Sequence, residues 1–224
     1  MARNLKFAEG EKYHIFNRGV DKRVIFHDKN DIDRFFKSMQ EFNVLDPIGS
    51  IYENRFNKNQ DKHRLGHGVS KSVLKSKARL VDFICYCLNP NHYHFVLEQV
   101  SEDGIEKFMH RLMGYAKYYN NKYKRSGSLF QGPFKAVHIT SNEQLLHTSV
   151  YVNLNNQVHK LGHGVSKSSW GEYARLENEN ICSKNIILDQ FKNFKEYEEF
   201  SRSSLEWIRD NKDEANFLLE EFEA

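Results

Sequence analysis

The sequence predicts an α+β fold: a ferredoxin-like split βαβ sheet with helices on one face, plus a C-terminal helical extension. Three observations carry this. Strand and helix patterns alternate as strand–helix–strand–strand–helix–strand between residues 12 and 157. The middle strands are separated only by the turn Asn89-Pro90-Asn91, which makes them a hairpin at the heart of the sheet. Hydrophobic content is 39% and charged content 28%, so the chain can bury a core. No run of about 18 apolar residues is present, so no membrane span is expected.

The elements follow in order. Lys12 to Phe16 reads as a strand that ends in the turn Asn17-Arg18-Gly19. Asp28 to Asp31 offers helix N-cap chemistry. Ile32, Phe35, Phe36, Met39 and Phe42 then recur at helical spacing. Val44 to Tyr52 reads as a strand interrupted by Asp46-Pro47, and Asn54 to Ala78 as a polar loop. Leu80 to Leu88 is an apolar strand, and the strand from His92 follows it. Gly104 to Arg125 reads as one long helix with Ile105, Phe108, Leu112, Tyr115 and Tyr119 on its apolar face. Phe134 to Ile139 is the last strand. Ser141 or Asn142 caps a helix that runs to about Gln157. The chain therefore divides into residues 1–158 and a loop with an acidic helical extension over 159–224.

Charge is uneven. The net charge is +3, but Asp189 to Ala224 alone carries −6, which leaves +9 on the body. A basic body suits a polyanionic partner, and ordinary charge scatter is the bland alternative. The N-terminus has no apolar segment of the secretory kind. Three cysteines without a C-x-x-C spacing argue against a disulfide scaffold and fit a reducing cytoplasm.

Chemistry concentrates in N-P-N-H-Y-H-F-V-L-E, Asn89 to Glu98. Residues two apart on a strand share a face, so His92 and His94 point the same way and can share a divalent metal, while Tyr93 points to the other face. Two solvated strand histidines are the bland reading. On the last helix, Leu146, Val150 and Leu154 make a buried stripe. His147, Tyr151 and Asn155 make a second stripe beside it, placed to form an active-site rim. The octapeptide L-G-H-G-V-S-K-S occurs twice, at Leu65–Ser72 and Leu161–Ser168. Its flanks differ, so it is not a structural repeat. Both copies are expected in surface loops, and His67 and His163 are not metal candidates.

Y-H-I-F-N-R-G, N-P-N-H-Y-H-F-V-L, Y-K-R-S-G-S-L-F-Q-G-P-F-K and Y-V-N-L-N-N occur in this order over Tyr13 to Gln157. In this the chain resembles the IS200/IS605-like single-tyrosine transposases, the HUH/Y1 family, and most of all their REP-associated relatives. The resemblance implies a DNA transposase that cleaves and rejoins single-stranded or hairpin DNA through a 5′-phosphotyrosine. It implies Tyr151 as nucleophile, and His92, His94 and Asn155 as ligands of Mg²⁺ or Mn²⁺. It further implies DNA contacts from Arg18, Lys117, Lys122, Lys124, Arg125, Phe130, Gln131 and Lys135, with Phe130, Tyr118 or Tyr123 stacking on bases. The expected protein is cytoplasmic, monomeric or homodimeric. Two departures stand out: Asn156 replaces the family's usual proline, and F-Q-G-P-F replaces its W-Q-x-R-F. A catalytically inactive hairpin-binding module and a water-using metal-dependent nuclease are the alternatives.

Overall fold

The computed structural model describes residues 5–51, 78–158, 164–177 and 179–211. Its strands are β1 (Lys12–Arg18), β2 (Val81–Asn89), β3 (His92–Gln99), β4 (Lys135–Ile139) and β5 (Lys167–Ser168). They form one antiparallel sheet in the order β4-β1-β3-β2-β5. The first four strands have the ferredoxin-like order expected of a split βαβ unit.

Alternation assigns each strand residue to a face. Tyr13, Ile15, Tyr93, Phe95 and Leu97 pack with helix α1 (Lys29–Phe42) and with α2 (Gly104–Leu112) and α3 (Tyr115–Lys122). The opposite face carries Val96, Ile139, Cys85 and Cys87. It packs against α4 (Asn142–Asn153), and the C-terminal helix Phe194–Asp210 packs on α4. Helices therefore cover both faces, where the sequence suggested one. A β-bulge between Phe83 and Cys85 lets β2 serve both cores: Phe83 lies in the first and Cys85 in the second, although they are two apart.

Local chemistry explains the helix ends. The Asp28 carboxylate accepts from Asp31 N at 2.9 Å and starts α1. The helix from Gly104 breaks at Met113-Gly114 rather than running to Arg125. There Gly114 N and Lys117 N donate three residues back, to Arg111 O and Gly114 O, each at 3.1 Å. Glycine is a poor helix former, and the tighter turns re-aim α3. Val44 to Ser50 is not a strand. The Arg111 guanidinium takes the carbonyls of Val44 and Leu45 instead of a neighbouring strand. Most of the expected 54–78 loop lies outside the described residues, as does Leu65–Ser72 with His67. The second octapeptide copy is not all loop: its last two residues form β5, paired with Cys87 and Leu88. Residues 161–163 of that copy, with His163, lie outside the described residues.

Asn43, at the end of α1, holds the helix to the start of β2. Its side chain accepts from Leu80 N and Val81 N, both at 3.0 Å, and donates to Val81 O at 2.8 Å. Asn43→Ala leaves buried backbone groups without partners. It should lower the unfolding free energy by about 1–3 kcal/mol in urea titration. An unchanged midpoint would show that these groups find other partners.

Candidate functional site

The β1–β3 ladder builds the site. Its register pairs Phe16 with His94 and Arg18 with His92. Cross-strand partners share a face, so Arg18 stands beside His92 on the same side of the sheet as His94. The two histidine rings lie 5.1 Å apart, edge to face. His14, on the diagonal from His94, completes the row: its Nε2 is 3.0 Å from His94 Nδ1, and both residues are buried. The sequence alone assigns His14 no role, although it lies within the Y-H-I-F motif. Nothing in the linear spacing ties residue 14 to residue 94; only the strand register does.

The tyrosine arrives from the other layer. Ser141 Oγ accepts from Gln144 N at 3.0 Å and starts α4. Tyr151 sits on this helix with its ring edge-on to His94 at 5.5 Å and to His14 at 6.0 Å. These are histidines of its own chain. The helix does not run evenly to Gln157. Leu154 departs from helical angles at φ −112° and ψ 18°, and a short turn, α5 (Asn155–Val158), follows. Asn155 thus enters the site from the first residue after the break. His147 leaves the expected rim: its Nδ1 meets Ser204 Oγ at 2.8 Å, and its ring packs near Phe200 and Trp207 on the C-terminal helix.

Asn155, His92 and Asn89 form a tight polar knot. His92 Nε2 is 2.9 Å from Asn155 Oδ1. The Asn89 amide nitrogen is 2.6 Å from Asn155 Oδ1 and 2.9 Å from His92 Nε2. His92 Nδ1 faces Asn91 Oδ1 at 2.6 Å, so in the neutral ring Nδ1 carries the proton and Nε2 is the acceptor. Two acceptor atoms thus converge on one point, where the Asn89 amide hydrogens now bind them. Adjacent ligands of a six-coordinate ion with bonds of about 2.1 Å lie about 3 Å apart, which is the spacing seen here. These two atoms therefore have the spacing of adjacent ligands of a small divalent cation. Among the described residues no group of three or more His, Cys, Asp or Glu could hold a metal; the oxygen donor here is an amide. The Asn155 amide nitrogen is buried with no hydrogen-bond partner among the described residues.

The residues expected to meet DNA divide into two sets. Lys117, Lys124 and Lys135 are exposed. Arg18 Nε donates to Gln131 Oε1, which sets Arg18 and Gln131 side by side at the end of β1. Phe130, Arg125 and Lys122 are engaged within the protein. Phe130 is buried in the core beside Tyr93. Arg125 donates to Asn120 Oδ1 at 2.8 Å and Ser128 O at 3.2 Å. Lys122 binds Asp31 at 2.6 Å and Asp28 at 3.1 Å, and these hydrogen bonds raise its pKa against the opposing effect of burial. Of the stacking candidates, Tyr123 donates to the same Asp31 at 2.6 Å, and Tyr118 is half-buried under Arg34. Charge and aromaticity in the sequence did not reveal that the buried Asp31 takes Lys122 and Tyr123 as partners.

No protein-family model matches the chain, and no curated protein matches it. Among solved structures it is similar to one titled "Structure of the REP associates tyrosine transposase bound to a REP hairpin". The TM-score is 0.48 at 10% identity, over 78% of this chain and 86% of the other. No described helix is long and apolar enough to cross a membrane.

Lys122→Met strips a buried carboxylate of its cation. The lysine is partly exposed and Tyr123 remains, so the loss should be about 1–3 kcal/mol, below the 3–5 of a fully buried pair. Denaturant unfolding reads this directly. A fall in affinity for single-stranded DNA with stability unchanged would return Lys122 to the binding set.

Proposed function

We propose that the protein is a single-stranded DNA transposase that cuts and rejoins DNA by tyrosine transesterification. One observation carries this reading: the buried row His14–His94–Tyr151 adjoins the knot in which His92 Nε2 and Asn155 Oδ1 stand 2.9 Å apart. A nucleophile candidate and a neutral, cation-compatible donor set thus meet within one chain, so a monomer suffices for the chemistry. Tyrosine suits cutting and rejoining because its ester with phosphate keeps the bond energy of the cut strand, and rejoining then needs no ATP.

In the proposed reaction the Tyr151 hydroxyl oxygen attacks the scissile phosphorus. A tyrosine–phosphorus bond forms and the bond to the 3′ oxygen breaks. The phenolic proton is lost and the 3′ oxygen gains one, which leaves a free 3′-hydroxyl and a 5′-phosphotyrosine. A 3′-hydroxyl attacking that ester reverses the step. His92, His94 and Asn155 would hold Mg²⁺ or Mn²⁺, with His94 using Nε2 because its Nδ1 faces His14. When bound, the ion polarises the phosphate and offsets the charge that builds on it. Its ligands bring no negative charge, and it must displace the Asn89 hydrogen bonds, so binding without DNA should be weak. Arg18, beside His92, supplies a fixed positive charge for a phosphate oxygen. Lys117, Lys124 and Lys135 supply the sequence-independent part of DNA affinity.

Incubation with a hairpin carrying a single-stranded flank and Mn²⁺ should give a covalent protein–DNA adduct that survives denaturing electrophoresis. Tyr151→Phe should abolish it, and His94→Ala should reduce it at least about 100-fold while leaving DNA binding near wild type. EDTA should stop the reaction. Metal-dependent nicking without an adduct would make the protein a water-using nuclease instead. Binding with neither nicking nor adduct would make it a hairpin-binding module.

A further inference from the structure

We infer that His14 is a positioning residue for the metal site: it fixes which nitrogen of His94 carries the proton and how that ring is turned. This rests on the proposed ligand role of His94.

The two imidazoles share one hydrogen bond, His14 Nε2 to His94 Nδ1 at 3.0 Å, and stack at 5.2 Å with 24° between planes. Both are buried, as is Tyr151. In a neutral ring one nitrogen carries the proton and the other is an acceptor. A ligand nitrogen must present its lone pair. If His94 binds through Nε2, its proton sits on Nδ1, and His94 donates to His14. His14 must then accept at Nε2 and carry its own proton on Nδ1. A ligating histidine usually gives its second N–H to a carboxylate, a carbonyl or water. Here a second histidine takes that place. A carboxylate so close would add negative charge to the site; an imidazole orients the ligand and leaves the donor set neutral.

His14 also reaches the nucleophile. Its ring stands 6.0 Å from that of Tyr151, nearly perpendicular, and it packs 4.8 Å from Phe16. Phe16 in turn stacks on His94 at 5.7 Å. The His94 ring is thus bounded by Phe16, by Tyr151 and by the His14 hydrogen bond.

The test uses the full chain with saturating hairpin DNA and Mn²⁺ as probe, the same DNA alone as background, and free Mn²⁺ read by electron paramagnetic resonance. His14→Phe keeps the ring and removes the acceptor, and should weaken Mn²⁺ binding about 10- to 100-fold. His14→Gln places an amide oxygen where the Nε2 acceptor was and should recover much of that loss. Equal affinity in His14→Phe and wild type, with His92→Ala abolishing binding, would overturn this inference alone. If wild type and His92→Ala bind Mn²⁺ alike, the metal reading itself fails. A second measurement needs no variant. Long-range ¹⁵N–¹H spectra of the wild-type histidines should show His94 protonated at Nδ1 and His14 at Nδ1. Protonation of His94 at Nε2 would overturn the proposal even if His14→Phe does not fold.

Discussion

The register of β1 against β3 is the constraint on which the rest depends. Side chains alternate strictly along a strand, so a slip of one residue exchanges the two faces. In the observed register Tyr13, Ile15, Tyr93 and Phe95 enter the aromatic core with Phe35, while His14, His92 and His94 turn to the opposite side. The slipped alternative would set imidazoles among phenylalanines and move the aromatic row onto the face of the polar site. The hydrophobic core therefore enforces the placement of the polar site. The large side chains on one face keep the small cluster on the other aligned.

The second layer is as firmly set. A chain of buried polar groups ties α4 to the C-terminal segment: Tyr197 OH receives Asn153 Nδ2 at 3.3 Å, and Ser169 Oγ donates to Asn153 Oδ1 at 2.6 Å. Tyr173 OH donates to Ile84 O at 2.9 Å. Burial raises the pKa of both Tyr173 and Tyr197, so these phenols stay protonated and act as hydrogen-bonding groups. The tyrosine-bearing helix is held from behind by residues far along the chain, while its other side faces the histidines. The C-terminal segment, which lies beyond the stretch that carries the resemblance, thus helps to hold the helix that bears Tyr151.

Much of this was legible in the sequence because it follows from short-range periodicity. Alternation gave the shared face of His92 and His94, and the cap at Asp28 gave the start of α1. The order of the elements gave the sheet. What was not legible depends on contacts between distant segments. The partnership of His14 with His94 needs the strand register. The capture of Lys122 by Asp31 needs α1 against α3, and the burial of Phe130 needs the turn at the end of β1. The break at Met113-Gly114 was hidden for another reason: the apolar spacing of the helix continues across it, and only the tightened backbone turn reveals it. Val44 to Ser50 pairs with no described strand, and the carbonyls of Val44 and Leu45 bind Arg111, more than sixty residues away.

The short edge strand β5 raises a question of identity between duplicates. Its Lys167-Ser168 closes an octapeptide that is repeated letter for letter at Leu65–Ser72. Identical side chains cannot by themselves decide which copy docks beside Cys87 and Leu88. The residues that follow the two copies differ. Ser169 Oγ accepts from Tyr86 N at 2.9 Å and also binds Asn153. After the other copy that position is Val73, which has no hydroxyl. One oxygen atom just outside the duplicated stretch thus gives the docked copy two hydrogen bonds that the other copy's neighbour could not make.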